Sequence, residues 1–398
     1  MLNYADRQAL AAVQGPLVVE FGLNDEQWGL IGSAFMWVYA ITAPFAGFVV
    51  DHARRRWVVV VGLGFWSLIC AATGNAWGFT SLLVLRGLEG LGETFYFPAS
   101  MSLLADHHGP RTRSRAMSLH QTSVYAGTSI GLLLGAWMAD QFGWRTGFWL
   151  LGGLGILYAI YLATQLDEPK RALAEHSSRT WELEEAAPFR WSTGLKELLS
   201  NPAALALLLA FGAANFVASA MLWWLPAYVK RKFGLDLTGA ALVAALFWPP
   251  ANCVGALLGG PLADWACQRR PGGRARVQML GLLIGAPCIY FAGTTDSSAL
   301  LIAALLGIGL GKGLYDANIF AAAFDVVRPQ VRGTAAGLMN TVGWGFGAFA
   351  PWMMGKATAQ FGLGASIAMT SVLYLGASIL AWLAAILTAR SAAKPLAV

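Results

Sequence analysis

Twelve apolar runs, each about as long as a helix needs to cross a bilayer, fill most of this chain of 398 residues. They fall near 1–22, 28–50, 57–76, 78–104, 116–138, 144–165, 203–228, 238–264, 276–293, 298–324, 333–355 and 362–389. Hydrophobic residues make up 57% of the chain and charged ones 12%, against about 25% charged in a soluble domain. The reading is an all-α integral membrane protein of about twelve transmembrane helices. The first run is irregular, because Asp6 and Arg7 stand almost at its start. This helix is either a stub or lacks a stretch before Met1. No signal peptide fits, since the basic flank and cleavable apolar core are missing.

The basic residues gather in alternate loops. Arg54, Arg55 and Arg56 follow the second run; Arg111, Arg113 and Arg115 the fourth; Arg269, Arg270, Arg274 and Arg276 the eighth; Arg328 and Arg332 the tenth. Lys230, Arg231 and Lys232 are the exception on the opposite side. The bias places the even loops and both termini in the cytoplasm, in a cell-membrane protein. It also accounts for the net charge of +6 without nucleic acid as a partner. Cys70, Cys253, Cys267 and Cys288 lie in or beside apolar runs with no paired spacing. They read as small buried hydrophobes, not as a disulfide framework or metal site.

One constant spacing carries Asp106 to Asp325, Arg113 to Arg332, Thr122 to Thr341, and Gln141-Phe142-Gly143 to Gln360-Phe361-Gly362. A slightly shorter one carries Gly47-x-x-x-Asp51 to Gly260-x-x-x-Asp264, each followed by arginines. These correspondences predict two pseudo-symmetric six-helix bundles, at 1–165 and 201–390. A cytoplasmic linker over 166–200 joins them, and a tail follows over 391–398. A substrate site is expected between the halves near the midplane.

The fourth run holds Arg86, Glu89 and Glu93. At 100° per residue they share roughly one 60° sector of a helix, with Glu93 almost beneath Arg86. Each charge at membrane depth costs on the order of 3 kcal/mol or more, so this face looks into a bundle or a cavity. The tenth run holds Lys312 and Asp316, four apart on one face, where they neutralise each other or hold a substrate anion. Its glycines at 307, 309, 311 and 313 suit close helix packing. Tyr39, Tyr125, Asn215 and Trp223 are candidate lining residues, although aromatics in such helices more often pack or sit in an interfacial belt. Pro226, Pro249 and Pro250 are candidate helix breaks near gates.

Gly47-x-x-x-Asp51-x-x-Arg54-Arg55-Arg56 resembles the signature loop of the major facilitator superfamily, and the resemblance extends over essentially the whole chain. His52 and Arg54 depart from that signature, and the repeat at Gly260 and Asp264 is weaker still. Asn3-Tyr4-Ala5-Asp6-Arg7 and the stretch from Arg86 to Glu93 are similar to the first and fourth helices of two branches. These are the spinster-like lipid transporters and the anion:cation symporters. Ala43-Pro44-Phe45-Ala46-Gly47, Gly64-Phe65-Trp66-Ser67-Leu68, Gly285-Ala286-Pro287 and Asn318 lean to the first; Phe95-Tyr96-Phe97-Pro98-Ala99 leans to the second.

The resemblance implies a monomeric secondary transporter working by alternating access. Asp6, Glu93 and Glu89 would be proton-linked carboxylates, and Arg7 and Arg86 partners of those carboxylates or of an anion. Gly47, Asp51, Arg54, Arg55, Arg56, Gly260 and Asp264 would form gating loops. Two arginines and Lys312 favour an anionic organic solute such as a sugar acid, the alternative being a lysolipid or other amphipathic lipid. Membrane lipids are expected partners, the proton gradient drives transport, and no other cofactor is expected. A membrane-embedded enzyme is the rival class; no nucleophile–base set, metal cluster or cofactor motif supports it.

Overall fold

A computed structural model describes residues 1–107, 113–167, 196, 198–327 and 332–393. The side chains of Asp51, Asp106, Arg113, Arg115, Tyr125 and Arg332, the surroundings of Gly47, all of Arg111 and Arg328, and most of 166–200 lie outside the described set. Among the described residues there are sixteen helices and no strand. They are α1 Leu2–Ala12, α2 Gln14–Phe21, α3 Asp25–His52, α4 Arg55–Thr73, α5 Phe79–Thr94, α6 Tyr96–His107, α7 Arg113–Phe142 and α8 Trp144–Gln165, followed by α9 Pro202–Phe233, α10 Leu237–Leu246, α11 Trp248–Arg269, α12 Gly273–Thr294, α13 Ser298–Asp316, α14 Ile319–Phe324, α15 Arg332–Phe361 and α16 Leu363–Ala393.

Twelve spans make sixteen helices because the first, fourth, eighth and tenth are each broken once. Proline explains three of the breaks. A proline lacks the N–H that would reach back four residues, and its ring crowds that carbonyl. Pro16, Pro98 and Pro249 lie four residues beyond Ala12, Thr94 and Ala245, and the chain breaks at Val13, Phe95 and Phe247. The fourth break has no proline. There the Asn318 side-chain amide donates to Leu314 O and Gly259 O, both at 3.1 Å, while its backbone N–H turns to Tyr315 O. A side chain has taken the carbonyl that would continue α13. Pro226, in contrast, lies inside an unbroken α9. Seven stretches among the described residues are long and apolar enough to cross a membrane by themselves, the broken eighth and tenth spans among them.

The internal repeat has a structural counterpart. Arg113–Phe142 and Arg332–Phe361 are both helices of 30 residues. Each is followed by a glycine at positive φ, 86° at Gly143 and 81° at Gly362. Glycine adopts that backbone without the Cβ penalty and stops both helices at the same place. Elsewhere side chains set the boundaries. Asn24 starts α3 through a capping box, accepting from Gln27 N at 2.8 Å while Gln27 Oε1 accepts from Asn24 N at 3.0 Å.

Packing divides the chain into two compact units. The first comprises Met1–Ala187 with Leu235–Leu242, and the second Pro188–Gly234 with Val243–Val398. In the first, α1 lies along α7, α3 along α5, and α4 along α8. Glu20 ties the end of α2 to the start of α8, accepting from Arg145 at 2.9 and 2.6 Å and from Trp144 Nε1 at 2.8 Å. Asp140 Oδ2, near the end of α7, accepts from Thr238 N and Oγ1 at 2.9 and 2.8 Å, which satisfies the free N-terminus of α10. In the second unit, α11, α12 and α13 pack through small residues: a Cβ on Gly281 would stand 2.4 Å from Gly311 O, and one on Gly313 2.1 Å from Asn252 O.

The contact of α1 with α7 is closer than any side chain permits. A Cβ on Gly127, Gly131 or Gly135 would stand 2.3 Å from Met1 O, 2.1 Å from Ala5 O or 2.7 Å from Ala9 Cα. These glycines seat the helix that carries Asp6 and Arg7. Gly131→Ala is expected to destabilise the protein by about 1–3 kcal/mol, because the obstructing atoms are backbone and α1 itself must move. Gly153→Ala, with nothing within 4 Å of the added carbon, is expected to cost nothing, since alanine is the better helix former by about 1 kcal/mol. Thermal unfolding of both variants in detergent checks this; equal melting temperatures would show that α1 is not seated by that ridge.

Candidate functional site

The first unit gathers five ionisable side chains where apolar helices meet. Asp6, Arg7, Arg86, Glu89 and Glu93 are all buried. Arg7 donates through both Nε and Nη2 to Glu93 Oε2. Arg86 Nη1 lies 2.5 Å from Glu89 Oε2, and its Nη2 donates to the Arg7 carbonyl at 3.4 Å. The first pair therefore crosses between helices, and the second lies within α5. Glu93, which stands almost beneath Arg86 on a helical wheel, is held by Arg7 of α1, and Arg86 takes the nearer Glu89. Asp6 accepts from the Arg7 backbone N–H at 2.8 Å and leaves the guanidinium to Glu93. Glu93 Oε1 has no hydrogen-bond partner among the described residues.

Aromatic rings hold the two guanidinium groups. Phe35 lies under both, with its centroid 4.4 Å from Arg7 Cζ and 4.5 Å from Arg86 Cζ. Tyr4 and Tyr39 face Arg7 at 4.8 and 5.3 Å, and Phe35 stacks on Tyr39. A ring's negative face attracts a cation most where water is excluded. Phe35 reaches its place because Gly90 lets α5 touch α3: a Cβ there would stand 2.5 Å from Phe35 O. Thr42 and Thr94 join the same two helices through their hydroxyls at 3.0 Å.

Cys70, on α4, completes the cluster. It is buried, as its apolar run implies, but its Sγ and one carboxylate oxygen each from Asp6 and Glu89 lie within 4.8 Å of one another. From the sequence, Cys70 reads only as a small buried hydrophobe, and Phe35 carries no mark of the site. No spacing marks either, since both sit in apolar stretches away from the charged ends of their helices and come to the site only through packing. Tyr4 carried a signal, three residues before Arg7 on the same helical face.

One turn away lies an open-sided cavity of about 700 Å³, lined by apolar side chains of α4, α6 and α8 together with Asn3, Tyr96 and His120. On three chain segments its wall is one turn from the cluster: Asn3 precedes Asp6, Trp66 precedes Cys70, and Tyr96 follows Glu93. Asn3 Nδ2, Trp66 Nε1 and His120 Nδ1 have no hydrogen-bond partner among the described residues.

The remaining sequence-derived candidates are dispersed. In the second unit, Lys312 Nζ donates to both oxygens of Asp316 at 2.6 Å, so that pair is neutralised within α13. Asn318 serves the break after α13, Asn215 Nδ2 donates to Phe211 O at 3.1 Å, and Trp223 is buried. Asp264 is bound by Arg274 at 3.1 Å, which also holds Asp325 at 2.7 Å, while Gly260 faces open space. Of the loop arginines, Arg54 is exposed at the head of α4, Arg55 is half-buried, and Arg56 donates to the Ala163 carbonyl. Tyr125 on α7, and Gly47 and Asp51 on α3, fall among the positions whose surroundings are not described.

Long apolar helices in a repeated order, with a cluster of ionisable groups buried among them, define a multi-pass membrane protein. Residues 1–351 match the family model of the Major Facilitator Superfamily, and the chain belongs to that family. It has the family's twelve-helix fold, and it spans just under two thirds of the length of the mammalian spinster relatives that it matches. Human protein spinster homolog 1 is 29% identical over 354 residues, which cover 84% of this chain and 66% of that one. The probable galactarate/D-glucarate transporter GudP of Bacillus subtilis (strain 168) is 26% identical over 370 residues, covering 86% of this chain and 79% of its own. Both branches suggested by the motifs are therefore among the relatives. In structure the chain is similar to a bacterial homologue of the human lysosomal transporter Spinster, solved inward-facing. The TM-scores are 0.81 for its unoccupied and 0.82 for its occupied form, at 21% and 20% identity, covering 99% of this chain and 96% of that one.

The crossed pair makes a stability prediction. Arg7→Met is expected to cost about 3–5 kcal/mol by leaving Glu93 charged, buried and unpaired. Adding Glu93→Leu is expected to restore most of that loss, since replacing both partners removes the desolvation penalty with the pair. Thermal unfolding of the single and double variants reads the difference, and a double variant less stable than Arg7→Met would contradict it.

Proposed function

We propose that this chain is a proton-coupled secondary transporter that moves an anionic organic solute by alternating access. The observation that carries this reading is the charge of the buried cluster. Three carboxylates face two guanidinium groups, leaving one negative charge in surroundings that tolerate almost none. A single proton makes the cluster neutral, and Asp6 is where we place it. Each glutamate already holds an arginine, whereas the hydrogen bond to the Asp6 carboxylate comes from the backbone N–H of Arg7. Arg7 and Arg86 supply planar donors suited to a carboxylate or phosphate, which would compete with Glu93 and Glu89 for them. Glu89 then shares the released charge with Asp6 and Glu93. Lys312 and Asp316 form a second polar pair that a substrate can open.

The name of GudP supports a sugar acid as the solute. The alternative, a lysolipid or similar amphiphile, is favoured by the apolar cavity one turn from the arginines, where an anionic head and an aliphatic tail find adjoining surroundings. In either case the basic loops put both termini in the cytoplasm, the protein works as a monomer in the cell membrane, and the proton gradient is the energy source.

Reconstitution into liposomes tests the reading. A thermal-shift screen against sugar acids, other organic anions and lysolipids selects the substrate, which is then followed with and without a pH gradient. Asp6→Asn and Glu93→Gln are each expected to lower gradient-driven accumulation at least tenfold while leaving substrate exchange within about threefold of wild type. Accumulation unchanged in Asp6→Asn would remove that residue from the coupling step.

A further inference from the structure

Cys70 stands among charges that its apolar helix gives no reason to expect. Its Sγ lies 3.9 Å from the Phe148 carbonyl, the outer limit of a hydrogen bond to sulfur. Asp6, Glu89, Glu93 and Arg86 all act on the thiol electrostatically. The thiol and one oxygen each from Asp6 and Glu89 are within 4.8 Å of one another, on three helices of one unit. Glu93, 1% exposed and held by Arg7, has a second carboxylate oxygen without a hydrogen-bond partner among the described residues.

We propose that Asp6, Cys70 and Glu89 form a three-donor binding site for a thiophilic divalent cation such as Zn²⁺ or Cd²⁺. One sulfur with carboxylate oxygens is a donor set for a borderline-soft ion of flexible geometry. Such ions hold oxygen at about 2.0–2.2 Å and sulfur at about 2.3 Å. Tetrahedral donors then stand roughly 3.5 Å apart, so closing the site asks each side chain for about 1 Å of movement. The charges balance. Binding breaks the Cys70 S–H bond, forms the sulfur–metal bond and releases two protons to water, one from the thiol and the one placed on Asp6. The two charges of the ion then cancel the thiolate and the one negative charge of the cluster. A bound metal thus brings the cluster to the same neutrality as a proton on Asp6, and the two exclude each other. Arg86 stays paired with Glu89 and Arg7 with Glu93, which holds those carboxylates in place.

Direct binding tests the site without any transport assay, so its failure and the failure of the transport reading are separable. The purified protein carrying Cys253→Ser, Cys267→Ser and Cys288→Ser retains Cys70 alone. Titration with Cd²⁺ is expected to give an ultraviolet thiolate-to-cadmium charge-transfer band that saturates at one equivalent. Cys70→Ser in that background is expected to abolish the band, and Asp6→Asn and Glu89→Gln to weaken Cd²⁺ binding at least tenfold. Absence of the band, or unchanged affinity in both carboxylate variants, overturns the site. If these variants do not fold, the unmodified chain is alkylated with N-ethylmaleimide and each cysteine read by mass spectrometry. Cd²⁺ is expected to slow modification of Cys70 at least tenfold while Cys253, which is exposed, reacts as before. Equal modification of Cys70 with and without Cd²⁺ overturns the proposal.

Discussion

A charge inside a membrane protein must find its opposite or draw in water, and that constraint organises the first unit. Arg7 and Glu93 satisfy it across two helices, and Arg86 and Glu89 within one. Because Phe35 lies beneath both arginines, α3 is bound into the arrangement without contributing a charge. Three helices thus share one electrostatic structure, and none can shift relative to the others without exposing an ion to apolar surroundings. Separating such a pair costs several kcal/mol, comparable with the whole stability of many domains. Any movement that opens the site must therefore exchange these partners for others instead of simply breaking them.

The backbone supplies the closeness that this exchange requires. Arginine and glutamate side chains reach one another across α1 and α5 because glycines bring helix axes together: Gly131 against Ala5, and Gly90 against Phe35. The membrane offers no hydrophobic preference for helix over lipid, so close packing between small residues carries much of the association. The same positions that permit charge pairing are those where a single added methyl group separates the helices.

The spans were legible because apolar length is a direct consequence of bilayer thickness, and their bounds fall within a few residues of the observed helices. The Gln-Phe-Gly repeat was equally legible, since a glycine at positive φ stops both helices in the same way. Arg86, Glu89 and Glu93 could be placed on one face by helical periodicity alone. Which acid each arginine would take could not. Glu93 was nearest to Arg86 on a helical wheel, but partner choice depends on how α1 is seated, and that depends on glycines of α7 far along the chain. Cys70 was invisible for a related reason: in an apolar run a cysteine is a small hydrophobe until packing sets it beside two carboxylates. The breaks lay between these cases. Pro16, Pro98 and Pro249 act through a simple steric rule, whereas the break at Asn318 depends on a side chain finding Leu314 O and Gly259 O together.

The fourth span of each repeat half breaks directly after its acidic residues: α5 passes Glu93 and ends at Thr94, and α13 ends at Asp316. One break follows from a proline and the other from an asparagine amide, so the position has been kept while its cause has changed. The charges beside it have diverged further, to five interlocked groups in one half and a self-contained lysine–aspartate pair in the other. If both halves descend from one ancestral bundle, the bend is the older inheritance, and the ion chemistry is what each copy was free to rewrite around it.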